Sequence, residues 1–201
     1  MDLEYDRNKV VIKDKVLTSL DKFVLDFMGL LEEHVDYVVV SGYVVILFGR
    51  ARGTEDIDVI IRRMDKEDFA ALYSELREEG YYFLNPEDMN GLYGMLQEGL
   101  RIRAAKENTI IPNIELKFVK DDFDRYSIDN KLVVFIDRKH LNISPIEIQI
   151  PYKLYLGSDK DIEDAIYLWE IFKDKVDIST LRRFMKSFKV NVRGGEYGIE
   201  V

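Results

Sequence analysis

An α/β (α+β) fold, with a mixed sheet flanked by helices and a helical C-terminal part, is predicted by three features of this 201-residue chain. Apolar residues recur every three or four positions over 16–31, the period of an amphipathic helix. Short aliphatic runs at 37–40 and 56–61 have the length and patterning of strands, and Ser41-Gly42 and Gly49 punctuate the chain between them. From Ser144-Pro145 to about Lys189 the pattern is helical, with interruptions near Gly157-Ser158 and Val176-Asp177. The expected organisation is an α/β region with an N-terminal helix over 1–140, a helical part over 141–190 and a flexible, Gly-rich tail over 191–201.

The elements follow in order. Val16, Leu17, Leu20, Phe23, Val24, Phe27, Leu30 and Leu31 form the apolar face of the first helix. The run 37–40 reads as a strand, Ser41-Gly42 as a tight turn, and 43–48 as a buried helix that stops at Gly49. In 56–61 acid and aliphatic residues alternate before the run turns wholly aliphatic, as in a strand that enters the core from a wet end. An amphipathic helix is expected over 65–79, ending at Gly80, and Asn85-Pro86 reads as the cap and first residue of another short helix. Further strands are expected over 100–105, 114–119 and 132–136.

Composition narrows the chemistry. The chain has no cysteine, which excludes disulfides, thiolate metal sites and a cysteine nucleophile, and His34 and His140 are too few to build a zinc site by themselves. Any metal should therefore be held mainly by carboxylates. No apolar run approaches the roughly 18 residues that cross a bilayer, and the opening MDLEYDRNKV lacks the basic start and apolar centre of a secretory signal. A cytoplasmic protein with no membrane partner is expected. With 29 Lys and Arg against 38 Asp and Glu, a net charge of −9 argues against broad binding of duplex DNA. The absence of Cys beside abundant Lys, Glu, Ile and Val leans toward a thermophilic source.

The informative stretch is 38–61, VVVSGYVVILFGRARGTEDIDVII. Residues two apart on a strand share a face, so Asp56 and Asp58 present two carboxylates together while Ile57, Val59 and Ile61 point into the core. Two adjacent anions repel each other unless a divalent cation neutralises them, and Mg²⁺ favours one or two carboxylates completed by phosphate oxygens and water. Gly42 opens a helix straight after a strand, so backbone N–H groups there can approach a phosphate with no side chain in the way. Arg50, Arg52 and Thr54 lie on the loop between these two features and supply cationic and hydroxyl groups. Each piece alone has a plainer reading: Asp-x-Asp as a solvated strand end, Ser-Gly as a turn, the arginines as surface charges. Their order and spacing together are more specific.

That string resembles the nucleotidyltransferase superfamily with the polymerase-β-like catalytic fold, whose signature is a Gly-Ser or Gly-Gly turn opening a helix, then Asp-x-Asp on the next strand. It is most similar to AbiEii-like bacterial and archaeal members, which carry Gly-x-x-Arg-x-Thr-x-Asp-h-Asp, matched here by Gly49, Arg52, Thr54, Asp56 and Asp58. A later family segment, Lys followed by Gly-Ser-x-Lys-Asp-h-x-Asp-Ala, is matched by 153–165, so the likeness spans roughly 37–185. One departure is the turn itself, Ser41-Gly42 followed by Tyr43 without the second Gly or Ser.

The resemblance implies a nucleotidyltransferase-type sheet and an enzyme that moves a nucleoside monophosphate from an NTP to an acceptor, with Mg²⁺ or Mn²⁺ held by Asp56 and Asp58. Ser41, Gly42, Arg50, Arg52, Thr54 and Lys153 would contact the nucleotide. It also implies a third carboxylate on a neighbouring strand. Glu115 is the choice, since it alternates with Ile114, Leu116 and Phe118 and so faces away from the core; it would act as general base or second metal anchor. The plainer alternatives are a surface Glu115 paired with Lys117, and Lys153, Asp159, Lys160, Asp161 and Asp164 as helix-face charges. Related proteins act as toxins on tRNA or modify proteins or antibiotics, so RNA, a protein or a small molecule is the expected acceptor and a cognate antitoxin a possible partner. The alternative from another class is a regulatory protein that keeps the fold with weak or no catalysis.

Overall fold

A computed structural model describes residues 2–6, 8–190 and 198–199. The chain runs through β1 (Asp2–Asp6), β2 (Lys9–Lys13), α1 (Ser19–Glu32), β3 (Tyr37–Val39), α2 (Gly42–Leu47) and β4 (Asp56–Ile61), then α3 (Lys66–Glu78), β5 (Tyr81–Phe83), α4 (Met89–Gln97), β6 (Ile102–Lys106) and β7 (Asn113–Phe118). It continues through α5 (Asp122–Asp129), β8 (Leu132–Ile136) and β9 (Lys139–Ile143), and ends in α6 (Ile146–Leu156), α7 (Asp159–Phe172) and α8 (Ile178–Ser187). The sheet continues to Ile143 before the helical part begins.

Local chemistry sets the helix ends. Thr18 and Asp21 form a capping box in which each side chain accepts from the other's backbone N–H, so α1 starts one turn later than its apolar period suggests and leaves Val16 in solvent. Asp65 caps α3, and Gly80, at φ 75°, adopts the left-handed conformation that follows it. The helix expected to start at Asn85-Pro86 starts instead at Met89, capped by Asp88, whose Oδ1 accepts from the Gly91 N–H at 2.9 Å. The Asn85 carbonyl oxygen is taken by the Arg103 N–H, at 2.7 Å, so it serves the sheet.

Among the described residues nine strands form one mixed sheet in the order β1-β2-β8-β9-β3-β4-β7-β6-β5. At its centre β4 pairs antiparallel with β3 and parallel with β7, and β7 pairs antiparallel with β6. Strands β1, β2, β5 and β9 carry too little apolar alternation to stand out in the sequence. The pleat sorts β4 between the two faces. Ile57, Val59 and Ile61 join the main core with Phe27, Met28 and Leu31 of α1, Val44 and Leu47 of α2, and Leu168 and Phe172 of α7. Ile60, on the opposite face, packs with Val38 and Ile128 of α5 in a separate cluster, and Ile148, Phe184 and Phe188 of α6, α8 and the turn after α8 form a third. Asp56 and Asp58 share the face of Ile60. The flexible tail expected over 191–201 lies outside the described residues except at 198–199, where Ile199 is buried in the main core.

Candidate active site

The register brings the acids together. Asp58 stands directly across from Glu115, and Glu115 directly across from Arg103, so one row of charge runs over β4, β7 and β6. Arg101, just before β6, reaches into the row: its Nη1 donates to Asp58 Oδ1 at 2.9 Å and to Glu115 Oε2 at 2.6 Å. Arg103 Nε donates to the other oxygen, Glu115 Oε1, at 2.6 Å. Glu115 is only 3% exposed. It is therefore a buried, doubly clamped acid; Lys117 turns instead to Asp124, at 2.9 Å. Asp121, past the end of β7, caps α5.

Electrostatics separates the two acids. Burial pushes the Asp58 carboxyl up against the pull of Arg101, and Glu115 and Asp56 add to the rise. For Glu115 burial acts in the same direction, but the hydrogen bonds and charges of Arg101 and Arg103 outweigh it and hold the carboxyl below its ordinary range. The raised Arg101 works against its own burial through the same two acids. Asp56 makes no ion pair among the described residues, and no three His, Cys, Asp or Glu side chains converge there as a metal cage. The carboxylate set is a pair, Asp56 and Asp58, with Glu115 held off by arginine. Such a pair suits a hard cation that keeps several waters or phosphate oxygens.

Ser41 carries φ 63° and ψ −132°, a conformation that L side chains rarely adopt, and it lines one cavity with Asp58. At Gly42 the group that comes close is Arg52: an added Cβ would stand 2.8 Å from its Nη2. The Arg52 guanidinium pairs with Asp164 of α7, and Arg50 pairs with Asp164 and Glu163 and donates to the Lys160 carbonyl at 3.3 Å. Lys153 of α6 donates to the same Asp164, at 2.8 Å. Lys153 and Asp164 are thus buried partners across two helices and not charges on solvated faces. Burial pulls the Lys153 ammonium down to about 8, opposed by Asp161 and reinforced by Arg52 and Arg50. Thr54 donates its hydroxyl to the Asp56 carbonyl at 2.8 Å and so fixes the start of β4. Tyr43, the residue after the turn, is buried, with its hydroxyl on Asp21 at 2.8 Å.

Arg101 and Arg103 escaped the sequence reading, although they alternate with Ile102 as Asp56 and Asp58 alternate with Ile57. The tight spot at Gly42 yields a first prediction. Gly42→Ala should force the Arg52 guanidinium off Asp164 and lower stability by about 1–3 kcal/mol. Chemical denaturation measures this, and a variant as stable as the parent would mean that Arg52 relocates freely.

No family model matches the chain, and no curated protein matches it. Solved structures do. The solution structure of the antibiotic-resistance factor ANT(2'')-Ia matches at TM-score 0.53 and 12% identity, over 86% of this chain and 93% of that one. The crystal structure of ANT(2'')-Ia in complex with adenylyl-2''-tobramycin matches at TM-score 0.55 and 13% identity, over 86% and 98%. An antigenic nucleotidyltransferase-like protein from Paracoccidioides brasiliensis matches at TM-score 0.51 and 15% identity, over 88% and 94%. At these identities the likeness is one of fold: the chain has a nucleotidyltransferase fold. Among the described residues no helix is long and apolar enough to cross a membrane.

Proposed function

We propose that this chain is a nucleotidyltransferase that moves a nucleoside monophosphate from an NTP to an acceptor hydroxyl. The observation that carries the reading is the position of Asp56 and Asp58 side by side on β4, with Glu115 across from Asp58, on a nucleotidyltransferase fold. Asp56 and Asp58 would hold Mg²⁺ or Mn²⁺, which when bound neutralises the triphosphate. The acceptor oxygen attacks the α-phosphorus, the bond from that phosphorus to the bridging oxygen of pyrophosphate breaks, and pyrophosphate leaves in line. The hydroxyl proton passes to a carboxylate. Glu115, outside the pair that would hold the cation, would take that proton or orient the acceptor together with Arg101 and Arg103. In this reading Ser41, Gly42, Arg50, Arg52, Thr54 and Lys153 would contact the phosphates, which Arg50, Arg52 and Lys153 reach only by sharing or leaving Asp164. Because Arg101 bridges Asp58 and Glu115, a cation entering between those two acids has to displace its guanidinium.

The acceptor class is open to direct assay. The ANT(2'')-Ia complex holds an adenylylated aminoglycoside, which supports a small-molecule acceptor. The likeness of Gly49, Arg52, Thr54, Asp56 and Asp58 to AbiEii-like sequences supports tRNA and a toxin role, with a cognate antitoxin as partner. Labelled NTPs with Mg²⁺ and a pool of RNA, protein and aminoglycosides decide by which species acquires label.

Binding is tested separately. Mg²⁺ with NTP should raise the melting temperature more than either alone, since phosphate oxygens complete the coordination of the metal. At a hundredfold excess over Kd the gain is about 2.7 kcal/mol, or about 5–11 °C for a chain of this size. No shift with any of the four NTPs at millimolar concentration, with either metal, would overturn the transferase reading in favour of a fold kept for partner binding.

A further inference from the structure

Next to Asp58 the face of the sheet under α5, α6 and α8 opens into a cavity of about 360 Å³, within the size range of small-ligand sites. Asp58 and Ser41 line it together with Gln149, Tyr152 and Phe188. Two of its features point to a ligand.

The first is the Gln149 amide. The residue is 2% exposed and lines the cavity, yet its Nε2 finds no hydrogen-bond partner among the described residues. A buried donor left unpaired opposes folding, and an acceptor atom placed in the cavity would relieve it. The neighbouring hydroxyls are already committed to each other, Ser144 Oγ donating to Ser127 Oγ at 3.0 Å.

The second is an aromatic wall. Phe123 stacks on Phe188 with ring centroids 4.4 Å apart, and Phe188 contacts Tyr152 at 5.6 Å and Tyr155 at 5.8 Å. Tyr152 and Tyr155 remain 41% and 59% exposed, so the wall reaches from the cavity to the solvent with uncovered ring surface. Large planar side chains on show around a concave, partly polar site match a flat ligand that is apolar on its faces and polar on its edge.

We propose that this cavity holds a nucleobase, stacked on the aromatic wall and accepting a hydrogen bond on its edge from Gln149 Nε2. The inference rests on the transferase reading for the meaning of Asp58 at its rim, and it deepens that reading by assigning the site that reads the base. A base in this place has two possible sources, the NTP itself or a nucleotide at the end of the acceptor. The chemistry of recognition is the same for both.

Free nucleosides test it, because they carry no phosphate and need no metal. Adenosine, guanosine, cytidine and uridine are titrated into the full-length protein, with binding followed by ligand-observed NMR and calorimetry. At least one nucleoside is expected to bind at millimolar or lower concentration. Tyr152→Ala should weaken it about tenfold, in line with the loss of one stacking ring. Gln149→Leu, close in size and free of the unpaired donor, should fold as the parent does and alter the order of preference among the four bases. Repeating the titration with saturating NTP and Mg²⁺ separates the sources: displacement of the nucleoside assigns the cavity to the base of the NTP, and undisturbed binding assigns it to the acceptor. Absence of binding by all four nucleosides, or an unchanged affinity and order in both variants, overturns the proposal. A parent that transfers NMP yet binds no nucleoside would sink the cavity assignment alone, whereas nucleoside binding without NMP transfer would sink only the enzymatic reading.

Discussion

Asp58→Asn is expected to reduce NMP transfer on the order of 10³-fold, the scale on which preorganised transition-state charge contacts act, while leaving the fold intact. The amide keeps the shape of the carboxylate and loses the charge that would hold the cation. The stability side has a definite sign. Burial raises the folded-state pKa of Asp58, so the folded chain binds that proton more tightly than the unfolded chain does. The contribution is present at acid pH and is lost as pH rises through the folded value, where an ionised, half-buried acid faces Asp56 and Glu115. Asn removes that burden, and Arg101 keeps Glu115 as its partner. Melts in EDTA should therefore place Asp58→Asn level with the parent or slightly above it at neutral pH, with the margin closing toward acid pH. Asp56→Asn should lose transfer likewise. If both variants melted well below the parent without metal, the pair would be structural.

The largest loss of stability is expected from Asp164→Asn. Asp164 is fully buried and accepts from Arg50, Arg52 and Lys153, whose side chains are 16%, 11% and 2% exposed. Bringing charges out of water is repaid only while each has its partner, and removing the one fully buried anion leaves three cations with only the more exposed Glu163 and Asp161 beside Arg50 and Lys153. Breaking a buried pair in this way costs about 3–5 kcal/mol, or about 6–20 °C in melting temperature for a chain of this size. Lys153→Met should cost clearly less, because Asp164 keeps both arginines. Thermal melts of the two variants compare them directly, and an Asp164→Asn protein that melts within 2 °C of the parent, about the effect of 1 kcal/mol, would show that the cluster is not needed as a unit.

The central site was legible because it is written in local periodicity. Asp56 to Ile61 alternates before it turns aliphatic, and the strand has those bounds; the same alternation placed Glu115 on the face of the sheet that it shares with Asp58. Strands β1 and β9 are short and largely polar, and their order comes from pairing with β2, β8 and β3, which no local pattern encodes. The charge network lay out of reach for a similar reason. A buried ion pair leaves no mark on the period of its own element: Lys153 and Asp164 read as solvated helix charges until α6 and α7 pack against the loop that carries Arg50 and Arg52. Arg101 and Arg103 carried a visible signal, since they alternate with Ile102 as the acids alternate with Ile57.

The clasp between that loop and α7 also orders events in time. Arg50 meets the Lys160 carbonyl across 110 positions of chain, and Tyr167 meets the Phe48 carbonyl across 119. Contacts so distant in sequence are made late, after the loss of chain entropy they demand. On a ribosome adding about 5–20 residues per second, the partners of the loop leave the exit roughly 6–24 s after the loop itself. Throughout that interval the nascent chain can pair β3 with β4 and display Asp56 and Asp58, but the arginines beside them have nothing to hold. The acids' own partner, Arg101, precedes α7 in the chain, so the anionic half of the cleft can be set before the cationic half, whose shape waits until synthesis has passed Tyr167.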